Sequence, residues 1–99
     1  MLKLIDKIKM WFVDRGLQNA SPTKQMLKLF EEVGELASAM ARDQIDKIKD
    51  AIGDIVVVLI GLTLQLGIDF EECVELAYDE IKDRKGKLIN GVFVKEEDL

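Results

Sequence analysis

Four carboxylates stand at spacings that can do chemistry. Glu32 and Glu35 lie three residues apart in Lys28-Leu29-Phe30-Glu31-Glu32-Val33-Gly34-Glu35-Leu36, and Asp50 and Asp54 lie four apart in Asp50-Ala51-Ile52-Gly53-Asp54-Ile55-Val56-Val57. Either spacing puts both members on one side of an α-helix. The flanking residues are largely leucine, isoleucine and valine, among which a carboxylate is costly unless paired, protonated or bound to a cation. Two antiparallel helices joined by a short turn would bring the pairs across from one another, where they repel strongly. One or two divalent cations relieve that repulsion and create a place for polyphosphate, whose oxygens share Mg²⁺ with one or two carboxylates. Hard metal, water and phosphate together mean phosphoryl-group chemistry.

The rest of the composition narrows the choice. The chain has no histidine, which excludes histidine-dependent nucleophilic triads, histidine-ligated zinc and the Glu-x-x-His di-iron bundle. A metal here is held mainly by oxygen, and Mg²⁺, Mn²⁺ or Ca²⁺ suits that chemistry best. A formal charge of −5 argues against a general nucleic-acid-binding surface, which needs clustered lysine and arginine. Cys73 is alone, so no intrachain disulfide forms and the cytoplasm is the expected compartment. The opening residues lack a secretory pattern. The most apolar run, Ile55 to Leu62, is far shorter than the roughly 20 residues of a membrane span, so no membrane role is expected. Ninety-nine residues make a single domain, 1–99, able to bury its own core.

Four helices must position the carboxylates. Leu4, Ile5, Ile8, Trp11 and Phe12 recur at helical spacing from Leu2 to about Arg15, and Gly16 supplies the stop. Trp11, the single tryptophan, reads either as a core anchor or as a wall for a stacked nucleobase. Ser21-Pro22 reads as an N-cap and first helical residue, starting a helix that runs to about Ala41 with Met26, Leu29, Phe30, Val33, Leu36, Ala37 and Met40 as its apolar stripe. Glu31, Glu32 and Glu35 then fall on the flank and back of that stripe. Gly34 marks either a close approach or a tolerated glycine.

Asp43 is the expected cap of a third helix ending at about Leu66, with Gly67 as terminator and a stripe of Ile45, Ile48, Ile52, Ile55, Val56, Leu59 and Leu62. The second half of that helix is apolar nearly all round, so it must be covered on both sides. In so small a protein the second cover comes from another subunit, which predicts a homo-oligomer, dimer or tetramer. Asp69 caps a fourth helix, with Glu72 reaching back, that runs to about Lys85 and ends at Gly86. Lys82, Arg84, Lys85 and Lys87 at its end either complement the helix dipole or grip phosphate. The tail, about 88–99, holds Asn90-Gly91 between short apolar runs, the signal of a small hairpin. The predicted architecture is all-α, four-helix bundle-like with a short C-terminal tail.

Gln25 to Leu36, followed by Asp50-Ala51-Ile52-Gly53-Asp54 and a long apolar helix, resembles the MazG-like branch of the all-α nucleoside triphosphate pyrophosphohydrolases. The likeness extends more loosely to Trp11 before Arg15-Gly16-Leu17, and to the basic segment Tyr78 to Lys87. The family pattern is E-x-x-E and then E-x-x-D on adjacent helices. Glu32 and Glu35 match the first pair and Asp54 the closing aspartate, while Ala51 stands where the pattern has glutamate. Asp50 shares a face with Asp54 and is the residue able to replace the missing oxygen.

The resemblance implies a Mg²⁺-dependent enzyme, with Mn²⁺ as substitute, that converts a ribo- or deoxyribonucleoside triphosphate and water to the monophosphate and pyrophosphate in nucleotide-pool housecleaning. On that footing Glu32, Glu35, Asp50 and Asp54 are metal ligands, with Glu31 a further candidate, and Glu32 or Glu35 orients or deprotonates the attacking water. Lys82, Arg84 and Lys85 steady phosphate, on this subunit or a neighbour, and Trp11 contacts the base. The alternative is a catalytically weak or inactive helical module that binds nucleotide or a basic protein, and Ala51 is the residue that favours it.

Overall fold

The computed structural model describes residues 2–99, with the side chain of Leu2 left aside. Four helices and a small two-stranded sheet follow one another along the chain: α1 (Leu2–Asp14), α2 (Pro22–Ala41), α3 (Ile45–Leu66), α4 (Phe70–Ile81), β1 (Gly86–Ile89) and β2 (Val92–Lys95). Short 3₁₀ turns cover Leu17–Asn19 and Glu96–Asp98. Among the described residues no single helix is long and apolar enough to cross a membrane; α3 and α4 pass that test only as a pair, and the pair is bent by 111°.

The antiparallel α2–α3 hairpin is the body. Ser21 caps α2, its hydroxyl accepting from the Lys24 amide at 3.3 Å, with Pro22 as first residue. The far end differs from the expected cap of α3. Asp43 has a left-handed backbone (φ 52°) and terminates α2: its amide donates to Met40 O, and the Gln44 amide donates to Ala39 O. This double closure satisfies the last carbonyls of α2 and leaves Gln44, whose side chain makes no cap bond, as the residue before α3. Gly67 (φ 71°) closes α3 in the same way, with Ile68 N donating to Thr63 O.

On α1, Ile5 and Phe12 are buried, and Phe12 lies over Gly61 of α3 so closely that an added Cβ would come within 2.5 Å of the ring. Ile60 has no exposed surface, a burial that contributes roughly 1.5–3 kcal/mol. The large apolar surface promised by the sequence is only partly used. Leu27, Phe30, Val33 and Met40 of α2 and Ile45 and Ile52 of α3 remain exposed.

The chain leaves α3 sharply into α4, which buries none of its residues. Asp69 caps it, accepting from the Glu72 amide at 3.0 Å, and Lys9 of α1 reaches both Asp69 (3.1 Å) and Glu71. The helix ends at Ile81 rather than near Lys85. Lys82 to Lys85 offers no apolar residue to bury, and the Arg84 amide turns back to Ile81 O. Gly86, expected as a helix stop, instead begins β1. It pairs with Lys95, and Ile89 pairs with Val92 around Asn90-Gly91, both with positive φ. Two successive left-handed residues match the twist of a two-residue hairpin, so the tail forms the expected hairpin two residues earlier than its estimated start.

Candidate functional site in the α2–α3 seam

A seam of three-and-four spacing decides which residues meet. Ala39 and Ala51 are both buried, 4% exposed each, beside the turn that joins the helices. Small residues permit the close approach there, and the positions spaced back from Ala39, namely Leu36, Glu32, Leu29 and Gln25, follow the seam inward and are half-buried. Phe30, Val33, Ala37 and Met40 consequently turn outward. The expected apolar stripe is therefore split, and Glu32, assigned to its flank or back, lies instead in the inner row between Leu29 and Leu36.

That placement has an electrostatic signature. One carboxylate oxygen of Glu32, Oε2, is buried without a hydrogen-bond partner. Its pKa is raised above the ordinary carboxylate value, first by loss of water, then by the charge and hydrogen bonding of Glu35 and by the charge of Asp54; Lys28, one turn earlier, opposes the shift. Asp54 is thus close enough across the seam to be felt. Among the described residues none of Glu32, Glu35, Asp50 and Asp54 belongs to an ion pair.

A cavity of about 350 Å³ opens beside them, lined by Glu35, Asp50 and Asp54 together with Ser38, Arg42 and Lys47 and floored by Ala39 and Ala51. Three of the four expected carboxylates therefore share one cavity, and the charges of two of them, Glu35 and Asp54, act on the fourth, Glu32. Asp50 does stand on the wall shared with Ala51 and Asp54. Glu31 is exposed and does not line the cavity. As the side chains stand, no three acidic or thiol groups among the described residues converge tightly enough to hold an ion. The donor set nevertheless fits a hard divalent cation: oxygen ligands alone, one of them an orphaned buried oxygen, with Glu35, Asp50 and Asp54 on exposed side chains able to rotate toward it.

Arg42 and Lys47 were not singled out by sequence. The available signal was position: Lys47 precedes Asp50 by three residues on the same helix, and Arg42 sits in the turn that ends α2. Neither makes an ion pair among the described residues, so both offer charge to an anion in the cavity. The basic residues that were expected lie elsewhere. Lys82 pairs with Asp79 at 3.2 Å, and Arg84 and Lys85 line a separate cavity with Glu80, Asp83, Glu96 and Glu97.

Trp11 is not a core anchor, being 47% exposed. The Phe12 ring meets it edge-on at 5.2 Å and the Arg15 guanidinium covers one face at 4.3 Å. It borders a second seam cavity, of about 220 Å³, with Phe12, Gln25, Lys28, Val57 and Gln65. Lys28 is one turn from Glu32 and Val57 is one turn from Asp54, so the two cavities occupy successive stretches of the same groove.

The profile of the MazG nucleotide pyrophosphohydrolase domain matches residues 20–89. A curated relative described as an uncharacterized 18.2 kDa protein in the rep-hol intergenic region of Haemophilus phage HP1 (strain HP1c1) is 47% identical over 68 residues, which are 68% of this chain and 42% of the relative. The chain thus spans less than half the length of that relative. No solved structure matches.

Proposed function

The chain belongs to the MazG nucleotide pyrophosphohydrolase domain family, and on that footing we propose that it converts a ribo- or deoxyribonucleoside triphosphate and water to the monophosphate and pyrophosphate, in cytoplasmic nucleotide-pool housecleaning. The observation that carries the reading is Glu32, a carboxylate in an apolar seam with one oxygen unpartnered and with Glu35 and Asp54 beside it. An arrangement so costly to an empty protein is a reasonable one for a protein that binds a cation.

In this reading Glu32, Glu35, Asp50 and Asp54 would hold Mg²⁺, or Mn²⁺ in its place, which when bound supplies charge neutralisation on the polyphosphate. Glu32 or Glu35 orients or deprotonates the attacking water. Arg42 and Lys47 bind the pyrophosphate portion. Lys82, Arg84 and Lys85 act on phosphate from a second copy of the chain, and Trp11 contacts the base. The outward face of Phe30, Val33, Met40, Ile45 and Ile52 supports a homo-oligomer, since a monomer would leave that area wet.

The test is release of pyrophosphate from a panel of ribo- and deoxyribonucleoside triphosphates with Mg²⁺, with Mn²⁺ and with EDTA. Monophosphate and pyrophosphate in equal amounts, only when metal is present, is the expected result. Inactivity of folded protein across the panel removes the catalytic reading. One observation favours a second reading, a nucleotide-binding module without turnover: Ala51, buried in the floor of the acidic cavity, provides no oxygen where the family pattern has glutamate.

A further inference from the structure

The carboxylates of the seam have cations at both ends. Glu32 and Glu35 on α2 and Asp50 and Asp54 on α3 each take up about one turn of their helix. Toward the connecting turn stand Arg42 and Lys47, which line the cavity with Glu35, Asp50 and Asp54. At the other end stands Lys28, one turn before Glu32, or about 6 Å along the axis at roughly 1.5 Å per residue. Its charge reaches Glu32, where it opposes the upward shift of the carboxyl. Among the described residues Lys28 forms no ion pair, although Glu31 and Glu32 stand three and four positions beyond it.

The surroundings of Lys28 differ from those of Arg42 and Lys47. It borders the cavity of about 220 Å³, and among the described residues that line this cavity it is the one carrying charge. The long polar side chains beside it are amides whose nitrogens each donate within the protein. Gln25 Nε2 donates to the Val58 carbonyl at 3.0 Å, and Gln65 Nε2 donates to the Leu17 carbonyl at 3.3 Å and to Gln25 Oε1 at 3.4 Å. No carboxylate lines this stretch, so the ammonium is left for an incoming anion. The groove therefore runs from an uncharged stretch past one cation, through the carboxylates, to two cations.

A triphosphate cut between its first and second phosphates leaves one phosphate on the nucleoside and two in the pyrophosphate. The cations follow that division, one beside the uncharged cavity and two at the turn. A phosphate monoester carries roughly −1.5 to −2 charges at neutral pH, and lysine on its flexible stem meets it as a point charge. The reverse orientation would set the two phosphates of the leaving group against one lysine and an apolar cavity, where charge is costly. We propose that Lys28 binds the phosphate that stays with the nucleoside and so fixes the direction in which the triphosphate lies, pyrophosphate toward Arg42 and Lys47. The bond to be cut then lies between the two sets of cations, beside Glu32 and Asp54. The inference rests on the nucleotide reading above and adds to it the residue that sets the orientation.

The experiment is calorimetric titration of the full chain in Mg²⁺ with AMP, GMP, CMP and UMP, and separately with inorganic pyrophosphate. It compares the parent with Lys28→Met and Arg42→Ala. Lys28 is exposed, and methionine keeps an apolar stem while removing the charge. Lys28→Met is expected to weaken the best-bound monophosphate by about fivefold or more and pyrophosphate by less than about twofold, and Arg42→Ala to do the opposite. Unchanged monophosphate affinity in Lys28→Met, pyrophosphate weakened as much as monophosphate, or no saturable monophosphate binding by the parent each overturns the proposal. Neither ligand is turned over. The expected pattern in a protein that hydrolyses no triphosphate therefore removes the catalytic reading and keeps the proposal, whereas hydrolysis with unchanged monophosphate affinity in Lys28→Met removes the proposal alone.

Discussion

Glu32 and Asp54 oppose each other across the α2–α3 seam, and the charge of Asp54 helps to raise the pKa of Glu32, which desolvation has already lifted. Their proximity is a consequence of register. The small pair Ala39 and Ala51 brings the helices together near the turn, and three-and-four spacing from there carries Glu32 into the inner row. Acidic character, burial and opposition thus arise from one packing decision.

Glu32→Gln should therefore stabilise the metal-free protein while abolishing turnover. A carboxyl whose folded pKa exceeds its unfolded value contributes fully below the unfolded value and loses that contribution as pH rises through the folded one. The gain from glutamine should accordingly be absent near pH 4 and present at pH 7. About 1 kcal/mol shifts Tm by about 4–8 °C in a domain of this size, so thermal melts of both proteins in EDTA at the two pH values resolve it. Equal melting at pH 7 would contradict the strained state assigned to Glu32.

Arg42→Ala and Lys47→Ala should raise KM for a nucleoside triphosphate several-fold each, with a smaller effect on kcat if they bind the pyrophosphate portion equally before and during reaction. Arg84→Ala separates the two basic groups. If it acts from a second copy, its KM effect should depend on protein concentration through the dimerisation range, whereas that of Arg42→Ala should not. Steady-state kinetics across a hundredfold range of enzyme concentration distinguishes them.

Much of this arrangement is legible in the sequence because its signals are local. Ser21-Pro22, Gly67, Asp69 and Asn90-Gly91 each act through their own backbone or nearest neighbours, and each performs its expected part. Glu32, Glu35, Asp50 and Asp54 stand out by spacing, and the fold brings Glu35, Asp50 and Asp54 into one cavity. The inward turn of Glu32 and outward turn of Phe30 are not legible, because an apolar stripe wider than the seam has no unique centre until Ala39 meets Ala51. Asp43 misleads for a related reason: an aspartate before a helix satisfies the capping pattern equally well as the left-handed end of the helix before it. Gln25 and Gln65 are polar residues forty positions apart, and only the fold makes them a pair.

Lys9→Ala should loosen α4 from the body. The hydrogen bond to Glu71, with further help from Asp69, holds the Lys9 pKa above its ordinary value, and Asp69 is held below its own by the Glu72 amide and then by Lys9. The Lys9 contribution is present below the unfolded lysine value and is lost as pH rises through the raised one; the Asp69 contribution is present above the unfolded aspartate value and is lost as pH falls through the lowered one. Attachment should be firm throughout the neutral range and weaken at both extremes. Hydrogen exchange should report faster exchange across residues 70–81 in the variant at pH 7, with α2 and α3 unchanged.

Gly61→Ala tests the α1–α3 contact. The added methyl would lie 2.5 Å from the Phe12 ring and 2.8 Å from the Gln25 amide nitrogen, and Phe12 is itself buried and has little room to retreat. Overpacking of this kind costs about 1–3 kcal/mol, against roughly 1 kcal/mol gained from replacing a helical glycine. A net fall in Tm is expected. Thermal melts followed by circular dichroism check it, and an unchanged or raised Tm would mean that Phe12 and Gln25 move aside for the methyl.

Ala51→Glu restores the family pattern, and its two effects should have opposite signs. The site is buried and floors the acidic cavity, so a further carboxylate beside Glu35, Asp50 and Asp54 adds both desolvation and repulsion. In EDTA the variant should melt below the parent by several degrees, since an unpaired buried charge is among the costliest substitutions. Titrating Mg²⁺ should then raise its Tm more than that of the parent at each concentration, because a ligand that binds only the folded state stabilises it by RT ln(1 + [L]/Kd), and the added carboxylate lowers Kd. If hydrolysis is limited by the missing oxygen ligand, kcat should rise in the same variant. A Mg²⁺ response no larger than that of the parent would mean that Asp50 already supplies the oxygen that Ala51 lacks, and that position 51 lies outside the cation's reach.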